Sequence, residues 1–399
     1  MSGSLLKRTR DLEIDLLVCC ARTSLDAPHA ETLAELVRQN IDWTRVLVLA
    51  QRHALLPLVH RHLQPRSDVP QGVRDRLEDG ARLNARRNLF LASQLLYVLT
   101  VLDRNGIAAM PYKGPVLAAR LYGDVACRQF GDLDVFVRPD AVIRARDLLL
   151  EAGYDGPLPG GAGRQKLFFR WRNQLELISA DHVHVELHWS AAPRMLGIHF
   201  DFDGMWRRAE RVEMAGMKIP SPAAEELLVL LCIHGAKHEW RRMSWVCDVA
   251  QLVASTPRMA WNDVWSGASK ASTRRLICLG LLLATDLLGA ALPATVGTVI
   301  RADAVACALS DRIRERYSSD WGARPELLGR ASFNLAVYER RRDKLRYVRR
   351  WALTPTDSDW AVVALPRRLT FLYWLVRPAR LLTKYGSNAL RGPRTTPVS

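Results

Sequence analysis

The sequence predicts an α+β fold in which a small mixed sheet lies between an N-terminal and a C-terminal helical region. Apolar residues recur at spacings of three and four up to about residue 104, at a spacing of two in strings between 107 and 189, and again at helical spacing after Pro220. The chain has 399 residues, 49% hydrophobic and 25% charged, which suits a folded protein of several units. We expect four regions, at 1–104, 105–220, 221–340 and 341–399.

The predicted elements follow in order along the chain. The N-terminal region ends in a long apolar helix, Leu89 to Leu102, before Asn105-Gly106. The core is expected to contain strands at 107–112 and 133–137, helices at 115–122 and 140–152, a glycine-rich turn at 156–166, and strands at 167–171, 175–178 and 182–189. Helices are then expected at 223–238 and onward to about residue 338, with Pro355 and Pro366 dividing the tail into short helices.

Positive charge is concentrated at the C-terminus. The formal net charge is +16, and residues 341–399 carry 13 Lys+Arg against 3 Asp+Glu, a net of +10. Because aromatic residues alternate with these arginines, the segment suits binding to a nucleic acid, binding to an anionic membrane or a partner protein's groove, or simple packing of its aromatics on the body. We favour the last interpretation. The basic charge is a local feature of the chain, because most of it lies in this one segment.

Cysteine usage and hydropathy indicate where the protein works. The seven cysteines are odd in number and form no CxxC pair or zinc-finger spacing, which favours a reducing compartment. The N-terminus shows no apolar run typical of a signal peptide. The most apolar stretch, 276–292, contains Asp286 and is followed by Pro293, so we expect a buried helix, no transmembrane segment and a cytoplasmic protein.

The string QFGDLDVFV contains the first candidate site residues. On a strand, Asp132 and Asp134 share one face and lie about 7 Å apart, while Leu133 and Val135 face the core. Two such carboxylates repel each other unless a cation lies between them, and Mg²⁺ prefers a few carboxylates together with substrate phosphates. The alternative is an exposed strand end with no special role.

A second strand, DHVHVELHW, favours the metal interpretation. Its alternation places Glu186 and His188 on a polar face, opposite an apolar face that includes Val185 and Leu187. If this strand neighbours the first, three carboxylates could hold two metals and serve in-line phosphoryl or nucleotidyl transfer. Of the histidines on this strand, only His188, beside the proposed acid, is expected to take part.

A turn upstream supplies phosphate-binding chemistry. Lys113-Gly114 ends a strand and opens the short helix at Pro115. Free amides at a helix N-terminus attract phosphate, Gly114 permits close approach, and Lys113 adds a positive charge for a triphosphate.

From Lys113 to Tyr154 the sequence strongly resembles the bacterial uncharacterised nucleotidyltransferase family of the polymerase-beta-like nucleotidyltransferase superfamily. The shared features are Lys113-Gly114, Arg128 shortly before the Asp-x-Asp strand, and Gly153-Tyr154 at a helix end. The likeness continues at ELHW (186–189), in the segment 234–253, and at TPTDSDW and FLYWLVRPARLL, so it covers most of the chain. Two departures from the wider superfamily are the Lys-Gly turn, 18 residues before Asp132, and Glu186 in place of the commoner Asp.

The resemblance implies a nucleotidyltransferase that moves a nucleoside monophosphate from an NTP, with ATP expected, to an acceptor, releasing pyrophosphate. Mg²⁺ or Mn²⁺ would be held by Asp132, Asp134 and Glu186, with Lys113 and Gly114 around the triphosphate. A small-molecule or peptide acceptor is favoured. The alternatives are a catalytically degenerate scaffold or binding protein in a biosynthetic complex and a tRNA- or RNA-directed nucleotidyltransferase.

Further candidates allow two interpretations each. His234 and His238 lie four apart on a helix, but Gly235 breaks the HExxH protease motif, so with Lys237 they are candidate nucleotide contacts. Aromatic residues beside them suit a core, and Asp248 suits a buried ion pair. Arg128 could neutralise a triphosphate or orient Asp132 by a salt bridge. The glycine-rich segment 156–163 lacks GK[ST] and is no P-loop.

Overall fold

The structure is a computed structural model that describes residues 11–318, 327–354, 359 and 372–380. Its described part is largely helical with a small mixed sheet, and the predicted α+β class is confirmed. The chain divides into two compact units, the first of which comprises the described parts of Met1–Gly156, Gln174–Ala191 and His199–Val337. A second comprises the described parts of Pro157–Asn173, Ala192–Ile198 and Tyr338–Ser399.

The first unit opens with five helices. Asp11, Asp26 and Asp42 cap the first three, each accepting a hydrogen bond from the backbone N–H three residues on, which satisfies a donor that the helix leaves free. The helices are α1 (Leu12–Cys20), α2 (Ala27–Val37), α3 (Trp43–Arg52), α4 (Leu56–Leu63) and α5 (Gln71–Arg104). The predicted helical character of this region is therefore confirmed over the described residues.

The sheet and its helices follow. In chain order these elements are β1 (Ala109–Pro111), α6 (Gly114–Tyr122), β2 (Asp132–Val137), α7 (Val142–Glu151), β3 (Tyr154–Asp155), α8 (Ala162–Trp171), β4 (Gln174–Ser179), β5 (His184–His188), α9 (Phe202–Arg207), β6 (Glu210–Met214) and β7 (Met217–Ser221). The strand order is β1-β2-β5-β4-β3, with β2 and β5 parallel and the other pairs antiparallel. β6 and β7 form a separate hairpin.

One predicted strand is wrong. Residues 167–171 belong to helix α8 rather than to a strand. The run Leu-Phe-Phe is short and apolar, and such a run does not distinguish a strand from part of a helix. No glycine or proline lies between Arg164 and Trp171 to stop the helix that starts within the predicted turn.

Helices complete the first unit. They are α10 (Ala224–Lys237), α11 (Met243–Ser255), α12 (Trp261–Ala271), α13 (Arg274–Leu288), α14 (Ala294–Arg301), α15 (Ala304–Ser318) and α16 (Leu327–Val337). The apolar stretch expected to be a buried helix forms α13, whose residues 276–284 are all buried. Among the described helices, none combines the length and the apolar character needed to cross a membrane.

The second unit contains α8, a short 3-10 turn at Arg194–Leu196 and α17 (Arg341–Leu353). Tyr338 Oη donates to the Leu196 carbonyl and Arg350 to the Arg194 carbonyl, so the turn is fixed by both residues. Asp359 is fully buried and pairs with Arg377 and Arg380. Most of the predicted basic segment beyond Thr354, including Pro355 and Pro366, lies outside the described residues.

Helix α5 fixes the start of β2. Its buried face includes Leu91 and Leu95 and, unexpectedly, the fully buried Asn88. The Asn88 amide donates to the carbonyls of Val125 and Arg128, both at 2.6 Å. A buried amide needs such partners, and here they hold the segment that leads into the two aspartates.

Candidate active site

The polar faces of β2 and β5 meet in the sheet. The parallel register pairs Asp132 with His184, Asp134 with Glu186 and Phe136 with His188. Because side chains alternate along a strand, Asp132, Asp134 and Glu186 lie on the same face of two neighbouring strands. The juxtaposition expected from the two alternation patterns is therefore present.

Asp134 is the most buried of these carboxylates, with 1% of its surface exposed. Its Oδ1 lies 2.8 Å from Lys113 Nζ, 2.9 Å from His188 Nε2 and 3.4 Å from Tyr112 Oη. Its Oδ2 is also buried but has no hydrogen-bond partner. Burial alone would raise the pKa of Asp134, yet the charge of Lys113 and the His188 hydrogen bond hold it well below the ordinary value.

His188 bridges two carboxylates. Its Nε2 lies 2.9 Å from Asp134 Oδ1 and 3.1 Å from Glu186 Oε2. Ionised carboxylates only accept hydrogen bonds, so this nitrogen carries the proton. Burial lowers the pKa of His188, but the hydrogen bonds to Asp134 and Glu186 outweigh it and raise the pKa.

Asp132 is half-buried at the start of β2. Burial and the neighbouring charge of Asp134 raise its pKa, against the opposing effect of Lys113. A carboxylate whose ionised form is disfavoured in this way gains most from a cation placed on the same face.

The Lys113-Gly114 turn reaches this face from the start of α6. Gly114 has φ of +60°, and a Cβ there would lie 3.2 Å from the Asp132 carbonyl oxygen. Glycine is therefore required both by the backbone conformation and by the close approach to β2. Lys113 occupies the N-cap position without a side-chain cap, and its ammonium points to Asp134 instead.

Helix α10 adds nitrogen groups to the same region. His234 Nδ1 lies 3.2 Å from Lys113 Nζ, and burial followed by the charge of Lys113 keeps the pKa of His234 well below its ordinary value. His238 packs its ring 4.8 Å from that of His234, and both lie against Trp245. Lys237 donates to Gln174 at 3.3 Å, and partial burial with the charge of Lys113 lowers its pKa.

Arg128 is engaged elsewhere. Its Nε and Nη2 each donate to one oxygen of Asp248 at 2.8 Å, and Tyr122 Oη also donates to Asp248 at 2.8 Å. Asp248 is thus the buried ion-pair partner that the sequence suggested, although its partner Arg128 was not named. Burial would lower the pKa of Arg128, but Asp248 raises it above the ordinary value.

The donor set fits a hard divalent cation. Ligand atoms of Asp134, Glu186 and His188 lie within 4.8 Å of one another, the only such group of three among the described residues. Since His188 Nε2 carries a proton for the carboxylates, the oxygens that this group offers belong to Asp134 and Glu186, and Asp132 is not a member of it. Mg²⁺ and Mn²⁺ prefer such oxygen ligands. The unpartnered Asp134 Oδ2 is one such oxygen.

Sequence comparison identifies the family to which the chain belongs. Residues 39–289 match the family described as "Uncharacterised nucleotidyltransferase", a span that covers more than half of the chain and contains the whole of the polar face. The chain belongs to this family. Its matching span ends before the basic C-terminal segment.

Two other comparisons give less. The structure resembles the crystal structure of an antigenic nucleotidyltransferase-like protein from Paracoccidioides brasiliensis, with a TM-score of 0.30 and 14% identity over 52% of this chain and 95% of that chain. No curated protein matches.

Three residues at or near the candidate active site were not predicted from the sequence. Tyr112 contacts Asp134, Gln174 holds Lys237, and Asn88 anchors the chain before β2. Only Asn88 could have been identified from the sequence, because an amide within the apolar stripe of a helix is expected to be buried and to need hydrogen-bond partners. Tyr112 and Gln174 become recognisable only when the strand register is known.

Proposed function

We propose that the protein is a Mg²⁺- or Mn²⁺-dependent nucleotidyltransferase of the polymerase-beta-like superfamily. It would transfer a nucleoside monophosphate from an NTP, with ATP as the preferred donor, to a hydroxyl or phosphate of a small-molecule or peptide acceptor. The observation that carries the proposal is the register of β2 and β5, which places Asp132, Asp134 and Glu186 on one face beside the Lys113-Gly114 turn.

The chemistry follows from these groups. The acceptor oxygen forms a bond to the α-phosphorus, the bond from that phosphorus to the bridging oxygen breaks, and pyrophosphate leaves with the electron pair. Glu186 would take the proton of a hydroxyl acceptor, whereas a phosphate acceptor attacks as an oxyanion and releases none. Bound divalent metal would lower the pKa of the acceptor and neutralise charge on the triphosphate. Asp132, Asp134 and Glu186 would hold that metal.

Lys113 has two possible anionic partners. Its ammonium now pairs with Asp134, and a triphosphate at the N-terminus of α6 would offer phosphate oxygens to the same group. We propose that Lys113 exchanges the carboxylate for the triphosphate, with Gly114 allowing the phosphates close to the backbone. Lys237, His234 and His238 would supply further contacts from α10, while His188 keeps Asp134 and Glu186 oriented.

Nucleotide binding and turnover test this proposal together. The full-length protein is titrated with labelled ATP with and without Mg²⁺, and pyrophosphate release is measured with a cell lysate as the source of acceptor. We expect binding only with the metal, loss of binding in Asp134→Asn, and normal binding in the exposed control variant Glu151→Gln. Tight metal-free binding that Asp134→Asn leaves unchanged would contradict the proposal.

A second candidate is a catalytically degenerate binding protein within a biosynthetic complex. It is favoured by the ammonium of Lys113 on Asp134, since a lysine can neutralise carboxylates in place of a metal. Glu186 in the third carboxylate position also favours it. Such a protein would bind ATP without releasing pyrophosphate, and its ATP affinity would not change when Mg²⁺ is removed by EDTA.

The remaining parts of the chain are assigned by proposal. We propose functional regions at 1–104, 105–220, 221–340 and 341–399, with the core chemistry in the second and a cytoplasmic location. RNA-directed transfer is a further alternative for the basic segment. It would give RNA binding that weakens steeply with salt, because each neutralised phosphate releases counterions.

A further inference from the structure

A cavity of about 330 Å³ opens in the first unit between the segment 199–208, helix α10 and helix α12. Its charged lining consists of Asp201, Glu225, Glu226 and Asp263 with one cation, Arg208. Four carboxylates against one guanidinium leave a net negative lining in a protein whose formal net charge is +16. The volume lies in the range of small-molecule sites.

Glu226 is the most buried of these acids. It is 8% exposed, its Oε1 accepts from Arg208 Nε, and its buried Oε2 has no hydrogen-bond partner. A buried carboxylate oxygen without a donor is costly, because it has lost water and gained nothing in return. Glu225, by contrast, uses Oε1 to accept from the Ala260 backbone N–H at 2.8 Å.

The rest of the lining combines apolar side chains with His199, Ser266 and Gly267. Phe200, Val229 and Val264 line the cavity, and Phe200 also packs against the buried cluster that contains Tyr112 and Phe136. A ligand that satisfies both surfaces therefore has a hydrocarbon body and positively charged ends. A bare metal ion fits less well, because the volume far exceeds one ion. Among the described residues, the acids here also form no group of three ligands within 4.8 Å.

We propose that this cavity binds a small organic cation with an aliphatic body and primary ammonium groups. One ammonium would pair with the carboxylate of Glu226 and the other with that of Asp263. Glu226 precedes His234 by eight residues on α10, about 12 Å along the helix, so the cavity is separate from the nucleotide face. The inference stands independently of the proposed nucleotidyl transfer.

Calorimetric titration of the full-length protein with 1,5-diaminopentane, in 150 mM NaCl without nucleotide or metal, tests the site. The uncharged isostere 1,5-pentanediol is the ligand control, and Glu213→Gln, on the exposed hairpin, is the protein control for loss of one negative charge. We expect the diamine to bind the wild type and Glu213→Gln equally. Glu226→Gln should raise its Kd about tenfold, the effect of one lost charge-assisted hydrogen bond.

Glu226→Gln also weakens the ion pair between residue 226 and Arg208. Asp263→Asn, on the exposed first turn of α12, is therefore a second variant, for which we expect the same loss of diamine affinity. Three results overturn the proposal. These are no binding of the diamine to the wild type, equal binding of the diol, and unchanged diamine affinity in the folded Glu226→Gln and Asp263→Asn proteins. Because nucleotide and metal are absent, an inactive enzyme would leave the measurement unaffected.

Discussion

Two buried aspartates in the first unit each pair with a cation and a tyrosine, but their two oxygens are satisfied to different extents. Asp134 and Asp248 are each 1% exposed, and each pairs with a cation at 2.8 Å and contacts a tyrosine. Arg128 bonds both oxygens of Asp248, whereas the donors on Asp134 share Oδ1 and leave Oδ2 without a partner. The fully satisfied carboxylate suits a structural role, whereas the half-satisfied one keeps an oxygen that no described donor reaches.

The largest expected effect separates the two aspartates by activity. Asp134→Asn should lower the rate of pyrophosphate release about 10³-fold, because a proposed ligand of the metal that neutralises transition-state charge is lost. Asp248→Asn should lower activity per folded molecule less than about threefold, since Asp248 lies on the structural network. Pyrophosphate release, normalised to the folded fraction from circular dichroism, measures both. Equal losses in the two variants would remove the distinction.

Stability should show the reverse order. Arg128→Met leaves the buried Asp248 without its cation, with the neutral Tyr122 hydroxyl still donating to it, and should lower the free energy of unfolding by about 3–5 kcal/mol. Lys113→Met should cost about 1 kcal/mol, because His188 still donates to Asp134. Urea denaturation of both variants measures the difference.

The same two variants address nucleotide binding. We expect Lys113→Met to raise the Kd for ATP about tenfold, while folded Arg128→Met binds ATP as the wild type does. A weaker ATP affinity in Arg128→Met without loss of stability would instead support the triphosphate contact first considered for this arginine.

The sequence predicted the site to the extent that strand periodicity determines it. Asp132, Asp134, Glu186 and their common face followed from alternation, because a period of two fixes which side chains share a face. The partners of those carboxylates did not follow. Lys113 pairs with Asp134, 21 residues later in the sequence, and Arg128 pairs with Asp248, 120 residues later. Tertiary packing brings these residues together, and no local sequence pattern encodes it.

The helix at 162–171 illustrates the limit for the fold. Its Leu-Phe-Phe run was short enough to be taken for a strand, and the sheet contains no strand there. By contrast, α10 and α13 were predicted correctly because their apolar runs are long. The length of an apolar run, more than its composition, therefore decides whether its periodicity distinguishes a helix from a strand.

Acid should lower the stability of the part of the first unit that contains Asp248, and the titrating group responsible is His53. Its carbonyl accepts from the Ser244 backbone N–H at the start of α11, the helix that carries Asp248. Burial, and then the charge of Arg52, lowers the pKa of His53 to about 4. The unfolded chain binds this proton below about pH 6.5 and the folded protein only near pH 4, so stability falls as the pH drops through that window.

The variant His53→Gln isolates this effect. Relative to the variant, the wild type should lose up to about 3 kcal/mol between pH 6.5 and pH 4. Urea denaturation at half-unit pH steps gives the difference between the two proteins, which cancels the titration of other groups. A wild-type curve parallel to that of His53→Gln would exclude His53 as the cause.

The smallest effect compares the two tyrosines. Tyr122 Oη donates to Asp248 at 2.8 Å, a normal length for a hydrogen bond to a carboxylate, whereas Tyr112 Oη lies 3.4 Å from Asp134. Tyr122→Phe should therefore cost about 1.5 kcal/mol of stability and Tyr112→Phe less than about 0.5 kcal/mol. Both substitutions keep the ring, so urea denaturation reports the hydroxyl alone. An equal or larger cost for Tyr112→Phe would mean that Asp134 depends on its tyrosine as strongly as Asp248 does, and the proposed asymmetry between the two carboxylates would fail.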